Sequence, residues 1–193
     1  MTNGLRKCVN IHDMQRRARR LLPSPVRGYL EGGADDEYTL ARNERAFGDV
    51  ELVPRFLRDV GRINTRIRAL GGEYELPVML SPTGMSRLFH EDAELAVARA
   101  AEAKGTLYTL STVATESIES VAAVSNGARM FQLYVLGDHG LNREFIQRSR
   151  AAGYQALCLT VDVPTAGNRE QDLRTGMAIP PRFTLASKLS LAL

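Results

Sequence analysis

The chain has 193 residues, 44% of them hydrophobic, and a formal net charge of +3. This composition predicts a globular domain with a core and excludes a membrane-spanning helix, since no apolar run is long enough. Cys8 and Cys158 lie in unrelated contexts without metal-ligand spacing, which predicts reduced thiols, no metal site and a cytoplasmic protein.

Residues 1–76 form a first segment, in which short helices lead into a loop and short strands. Helical stretches are indicated at residues 12–22, 24–33 and 34–47. The run RRARR at residues 16–20 would suit an anionic surface, but no aromatic residues interleave with it and no nucleic-acid module follows. We therefore expect a solvated helix face and no nucleic-acid partner.

Residues 77–193 form a second segment with an alternating rhythm. Predicted strands occupy residues 77–81, 106–112, 130–135 and 156–162, and predicted helices occupy residues 93–103, 116–125 and 141–152. A glycine suited to a left-handed cap follows each helix, at Gly105, Gly127 and Gly153. On the middle helix, Ile118, Val121 and Ala122 form an apolar stripe that can pack on a sheet.

Strands that alternate with helices predict a parallel sheet, either open and doubly wound or part of a barrel. The turn SPTGM lacks the GxGxxG fingerprint, which favours the barrel. A complete barrel takes about 250 residues, whereas the fourth predicted strand already ends at residue 162. The expected fold is therefore the N-terminal half of a (β/α)₈ TIM barrel, with about four βα units after a helical N-terminal segment.

Polar side chains gather at the ends of these strands, where a barrel forms its active site. Gln132 and Tyr134 share one face of their strand, and Thr160 and Asp162 share one face of the next. A buried polar group needs a partner, so either neighbouring strands or a ligand must satisfy these side chains. Internal hydrogen bonding is a sufficient explanation for Ser81 and Thr112.

An ordered set of motifs makes the resemblance specific. The motifs are YLEGGADDEYTLARN, LVPRFLRDV, SPTGM, LST, FQLYV, LTVDVPTAGNREQDLR and IPPRFTL. Together they resemble the FMN-dependent α-hydroxy-acid dehydrogenase/oxidase family, whose members oxidise lactate, glycolate and mandelate. The resemblance runs from about residue 25 to the C-terminus.

The resemblance implies FMN as cofactor and assigns its contacts. Pro82, Thr83 and Gly84 match the backbone beside the flavin, where a glycine would let the ring approach. Ser111, Gln132 and Thr160 match positions that hydrogen-bond the ring edge, so the flavin is expected to satisfy the amide of Gln132. Bonds between strands are the alternative for these three.

The resemblance also implies the substrate contacts. Tyr29 and Tyr134 match two substrate-binding tyrosines, and Arg169 matches an arginine that holds the substrate carboxylate. Tyr134 and Asp162 are the candidate catalytic residues, Asp162 as the partner of the family's catalytic histidine. Core packing for Tyr29, a solvated loop position for Arg169 and a structural salt bridge for Asp162 are the alternatives.

The chain departs from the family at three places. It has HEDAE at residues 90–94 where HP-x-GE is usual, and QDLRTGM at residues 171–177 where RDxRNxF is commoner. The S-N-H-G-G-R-Q type of motif, which carries the base, is not in the 193 residues. His12, His90 and His139 lie in other contexts and are not assigned that role.

The sequence thus predicts FMN-dependent oxidation of a lactate-like L-2-hydroxy acid to the 2-oxo acid, by an enzyme of which this chain is a truncated form. A non-catalytic half-barrel that binds a ligand or a partner chain is the alternative. The resemblance further implies homo-oligomers for the full-length family. Peripheral association with the inner face of the membrane is the alternative to a purely cytoplasmic location.

Overall fold

The structure is a computed structural model that describes residues 5–162 and 165–177. The chain divides into two compact units. The first unit combines residues up to 54 with residues from 165 onward, and the second unit consists of residues 55–164. The motif IPPRFTL and the middle of VDVPT lie outside the described residues. The predicted boundary after residue 76 does not coincide with this division and stays a prediction.

The first unit is helical. Its helices are α1 (Ile11–Leu21), α2 (Ser24–Glu31), α3 (Tyr38–Arg45) and α7 (Glu170–Thr175). The first three confirm the sequence prediction, and the Asn10 side chain caps α1 by accepting from the Asp13 N–H. Helix α7 was not predicted; it packs on α2, where a Cβ on Gly28 would lie 2.8 Å from Thr175 Oγ1.

The second unit contains a hairpin and a parallel sheet with its helices. The hairpin joins β1 (Ile67–Ala69) to β2 (Gly72–Tyr74), and the sheet has the order β3 (Tyr108–Leu110), β4 (Arg129–Tyr134), β5 (Ala156–Thr160). Helices α4 (Ala93–Ala103), α5 (Ile118–Val124) and α6 (His139–Ala151) occupy the intervals between the predicted strands. The unit keeps the hairpin beside the sheet because the Glu75 N–H donates to the Gly105 carbonyl at 2.9 Å.

The first predicted strand is shorter than expected. It is reduced to one parallel bridge between Leu80 and Tyr108, supported by the bond from the Leu80 N–H to the Leu107 carbonyl at 2.9 Å. Pro77 and Pro82 flank it, and since proline has no N–H to donate, little more ladder can form.

The apolar core lies between the sheet and its helices. Phe131 and Leu133 of β4 pack there with Ile118 and Val121 of α5, as the strand alternation and the helical stripe predict. The ring of Tyr154 meets that of Phe131 edge to face at 6.4 Å, and its hydroxyl donates to a backbone carbonyl of α5. The opposite face of the sheet therefore carries Gln132.

Glycine caps end two of the three helices as predicted. Gly105 and Gly153 have φ of +61° and +77°. The prediction of a left-handed cap at Gly127 is wrong, because the φ of Gly127 is not in the left-handed region. It is instead a close-packing position, where a Cβ would lie 2.9 Å from Glu102 Cβ and 3.0 Å from its Cα.

Candidate functional site

Three predicted cofactor-binding side chains meet at the carboxyl ends of the parallel strands. Gln132 stands at the centre: the Ser111 hydroxyl donates to its Oε1 at 3.1 Å, and its Nε2 donates to Thr160 Oγ1 at 2.6 Å. This row from Ser111 through Gln132 to Thr160 crosses β3, β4 and β5. The structure thus brings together side chains that are 21 and 28 positions apart in the sequence.

The amide of Gln132 already has partners within the sheet. It is 3% exposed, and its Oε1 also accepts from the Thr112 N–H at 3.0 Å. These bonds meet the requirement that a buried polar group be paired. From the sequence we expected a flavin contact in preference to such bonds between strands. The structure shows that the bonds between strands form. A cofactor-binding role for Gln132 stays a prediction.

Thr112 locks the backbone of this row in place. Its hydroxyl donates to the Gln132 carbonyl at 2.6 Å and accepts from the Tyr134 N–H at 3.0 Å. These bonds confirm the expectation that internal hydrogen bonding accounts for the polar side chain of Thr112.

The same row retains donors for an additional group. Gln132 uses one of its two amide hydrogens toward Thr160, and Thr160 accepts that hydrogen while keeping its own hydroxyl proton. A heterocycle edge with carbonyl and ring-nitrogen acceptors requires donors of this kind. The residues therefore fit the polar edge of a flavin.

The turn after the first predicted strand is fixed by a neighbouring loop. A Cβ on Gly84 would lie 2.5 Å from Val113 Cγ2, and the Met85 N–H donates to the Val113 carbonyl at 2.9 Å. A larger residue here would displace the Val113 side chain, so this packing favours a glycine independently of any flavin. Pro82 and Gly84 are half-buried and Thr83 is exposed, and their cofactor contacts stay predictions.

The two candidate catalytic residues lie in the same unit. Tyr134 ends β4, is half-buried, and stands opposite Thr160 in the parallel register. Asp162 follows β5 by two positions and is exposed. Both therefore lie on the carboxyl side of the sheet, and the histidine partner expected for Asp162 stays a prediction.

The first unit brings the other two predicted substrate residues together. The guanidinium carbon of Arg169 lies 5.0 Å from the ring centroid of Tyr29, and Nη2 donates to the Tyr29 carbonyl at 2.6 Å. Arg169 Nε donates to Asp172 Oδ2 at 2.6 Å, and this hydrogen bond raises the pKa of the guanidinium. Arg169 is thus a paired residue and not a freely solvated one.

Sequence reasoning missed one buried acid. Glu94 is 0% exposed and accepts hydrogen bonds from Ser86 and Thr115, which lie in the turns after two successive strand positions. In the sequence it is one glutamate in the acidic run HEDAE, a pattern that suits any exposed helix start. The local pattern does not separate a buried glutamate from a solvated one, although Glu94 agrees with the glutamate that ends the family pattern HP-x-GE.

Among residues 5–162 and 165–177, no three His, Cys, Asp or Glu side chains are grouped so that they could hold a metal ion. Within the same ranges, none of the helices combines the length and apolarity needed to cross a bilayer.

The chain is similar in sequence to known FMN-dependent enzymes. The family described as FMN-dependent dehydrogenase matches residues 18–193. Glycolate oxidase 1 of Zea mays is 42% identical over 177 residues, which cover 92% of this chain and 48% of the relative. Glycolate oxidase of Spinacia oleracea is 41% identical over the same length. The chain spans about half the length of the curated relatives it matches.

Solved structures are similar over nearly all of the chain. A crystal structure of mandelate oxidase has a TM-score of 0.85 at 37% identity, covering 96% of this chain and 58% of the other. A crystal structure of the monotopic membrane protein (S)-mandelate dehydrogenase has a TM-score of 0.89 at 34% identity, covering 95% of this chain and 49% of the other. These similarities confirm the predicted partial (β/α)₈ barrel.

Proposed function

The chain belongs to the FMN-dependent dehydrogenase family, and from that premise we propose that its protein oxidises a small L-2-hydroxy acid to the 2-oxo acid. FMN is the cofactor of this family. When bound, it takes up the two electrons that the hydroxy acid loses. Glycolate and mandelate are the substrates that the names of the relatives suggest, and lactate is a third of the same class.

The hydrogen-bonded row of Ser111, Gln132 and Thr160 is the observation that carries this proposal. It lies at the carboxyl ends of three adjacent parallel strands, where a barrel binds its ligand, and Gln132 and Thr160 keep neutral donors for an additional group. Its residues would hold the polar edge of the flavin ring. Pro82, Thr83 and Gly84 would lie beside the ring, in the turn that Val113 fixes.

The substrate would be held by its carboxylate. Arg169 would bind this group, with Tyr29 stacked on its guanidinium to fix the plane of the fork. Tyr134 would offer its neutral phenol to the substrate oxygens. Asp162 would orient the imidazole that accepts the substrate proton and stabilise the resulting imidazolium.

Binding and turnover test this proposal separately. Purified protein is titrated with FMN while flavin fluorescence is followed, and dye reduction is then measured with glycolate, lactate and mandelate. We expect FMN to bind in preference to riboflavin or NAD. A protein that does not bind FMN would contradict the proposal.

A second function has its own observation. The 193 residues lack the histidine motif, and on β5 the apolar side chains Leu157 and Leu159 are 46% and 55% exposed. A half-barrel that assembles with a partner chain, without turnover by itself, would account for both. Mass measurement in solution together with the dye assay distinguishes the two functions.

Location and assembly are part of the proposal. We place the protein in the cytoplasm, as a homo-oligomer when full length. The similarity to (S)-mandelate dehydrogenase, a monotopic membrane protein, supports peripheral membrane association. Fractionation of cells into soluble and membrane material would test the location.

A further inference from the structure

Two loops at the carboxyl ends of the strands lie side by side. They are residues 82–88 and residues 111–116, here called the strand-end loops. They contain Pro82, Thr83, Gly84 and Ser111, four of the residues proposed to contact the cofactor. Whatever holds these loops together therefore sets the shape of the proposed flavin site.

One carboxylate joins both loops. Glu94, in the first turn of α4, is 0% exposed; its Oε1 accepts from the Thr115 N–H at 2.9 Å and from the Ser86 N–H at 3.3 Å. Its Oε2 accepts from the Thr115 hydroxyl at 2.6 Å. Burial raises the pKa of this carboxyl, but the hydrogen bonds from Thr115 and Ser86 outweigh it and hold the pKa below its usual range.

Thr115 extends the connection. While its hydroxyl donates to Glu94, it accepts from the Arg87 N–H at 3.2 Å, and the Arg87 side chain pairs with Glu116. Each strand-end loop is thus bonded to Glu94 and to the other loop. A carboxylate buried this deeply is stable only while its donors stay in place, so the loops and the acid hold each other.

We propose that Glu94 is a positioning residue, which fixes the two strand-end loops in the arrangement that binds the cofactor. This inference rests on the proposed function. Glu94 acts through the loops and does not itself touch the flavin. Its position on helix α4 connects a rigid element of the fold to the proposed site.

Three variants of the 193-residue chain test this role. Glu94→Leu removes every acceptor, Glu94→Gln keeps one carbonyl oxygen for the backbone amides, and Glu102→Leu is the control. Glu102 lies on the same helix, is exposed, and also accepts a backbone N–H, from Asn126 at 3.1 Å. The control therefore loses one bond of similar kind outside the strand-end loops.

Amide hydrogen exchange is the first readout. We expect exchange at Ser86 and Thr115 to accelerate at least about tenfold in Glu94→Leu and less in Glu94→Gln, while β4 stays protected. The control leaves both loops unchanged. If Glu94→Leu does not fold, Glu94→Gln against wild type decides. Unchanged exchange in the loops would overturn the inference.

FMN affinity is the second readout, measured by quenching of flavin fluorescence. We expect the Kd for FMN to rise at least about fivefold in Glu94→Gln and to stay unchanged in Glu102→Leu. Loosened loops with an unchanged Kd would overturn a positioning role. A wild-type chain that binds no FMN would count against the proposed cofactor site, and the exchange result would then decide the role of Glu94 alone.

Discussion

The guanidinium of Arg169 lies 5.0 Å from the ring centroid of Tyr29, and it donates to the Tyr29 carbonyl across 140 positions of sequence. Asp172 pairs with the same guanidinium from the next turn of chain. The planar fork is therefore held in one orientation by a ring, a carbonyl and a carboxylate. Such fixing of an arginine favours a defined direction of approach for a second carboxylate.

Substitution of this arginine should impair substrate binding. In the active protein, Arg169→Lys should raise KM and lower kcat/KM for every accepted 2-hydroxy acid by about tenfold or more, because an ammonium cannot stack or pair as a planar fork. Arg174→Lys is the matched control, because exposed Arg174 lies on the helix that Arg169 precedes and pairs there with half-buried Glu170. If KM and kcat/KM are equal for both variants, Arg169 does not bind the substrate.

Substitution of Gln132 should weaken both the sheet and the cofactor site. In Gln132→Leu, the Ser111 hydroxyl and the Thr112 N–H lose their shared acceptor, so the free energy of unfolding should fall by about 1–3 kcal/mol. FMN retention should fall as well. Urea unfolding and flavin content measure the two effects, with exposed Gln155→Leu as the control. A full flavin complement with an unchanged spectrum would exclude Gln132 from the cofactor site.

Prediction from sequence succeeded where a periodic pattern dictates the fold. The faces of β4 follow from alternation, and Ile118 and Val121 follow from helical spacing. It fell short for the strand at residues 77–81, where two prolines limit the ladder to one bridge. It also missed α7, whose six residues carry too little periodicity to be recognised.

The sequence predicted which residues lie at the site, but it did not predict the hydrogen bonds between them. Alternation placed Gln132 and Thr160 at strand ends, but only the register shows that Gln132 reaches Thr160 directly. The burial of Glu94 was not predicted, because the burial of a glutamate at a helix start depends on loops that fold over it. Such information arises from tertiary packing and is not present in local sequence.

The ion pair between Glu119 and Arg148 should make stability depend on pH. The hydrogen bond from Arg148 lowers the pKa of Glu119 to about 2, from an ordinary value of 4.5. Because the folded-state pKa is the lower one, the pair stabilises fully above about pH 4.5 and this contribution disappears as the pH falls toward 2.

Glu119→Gln is the variant that isolates this pair. Both side chains are partly exposed, so solvent screening limits the loss near pH 7 to about 0.5 kcal/mol. Thermal or urea unfolding of wild type and variant should differ near neutrality and converge in acid. A difference that stays constant from pH 7 to pH 3 would show that another interaction is responsible.

The isolated 193-residue chain should self-associate and should bind FMN measurably but more weakly than a complete barrel does. Strand β5 is the last in the sheet order; Leu157 and Leu159 are exposed on it, and Val161 is exposed directly after it. We expect no 2-hydroxy-acid oxidation and a concentration-dependent mass by light scattering. Leu159→Lys should reduce the mass, whereas Leu52→Lys, at a residue already 93% exposed, should not. A yellow, active monomer would contradict this expectation.

The order of pairing in the parallel sheet has a consequence for biosynthesis. Each strand pairs with the strand that follows it in the chain, first β3 with β4 and then β4 with β5, with one helix between them. Because each pairing joins neighbouring βα units, it can form on a nascent polypeptide once the second of its two strands has left the ribosome. The apolar side chains on β5 then make this early intermediate a client for chaperones until another segment covers them.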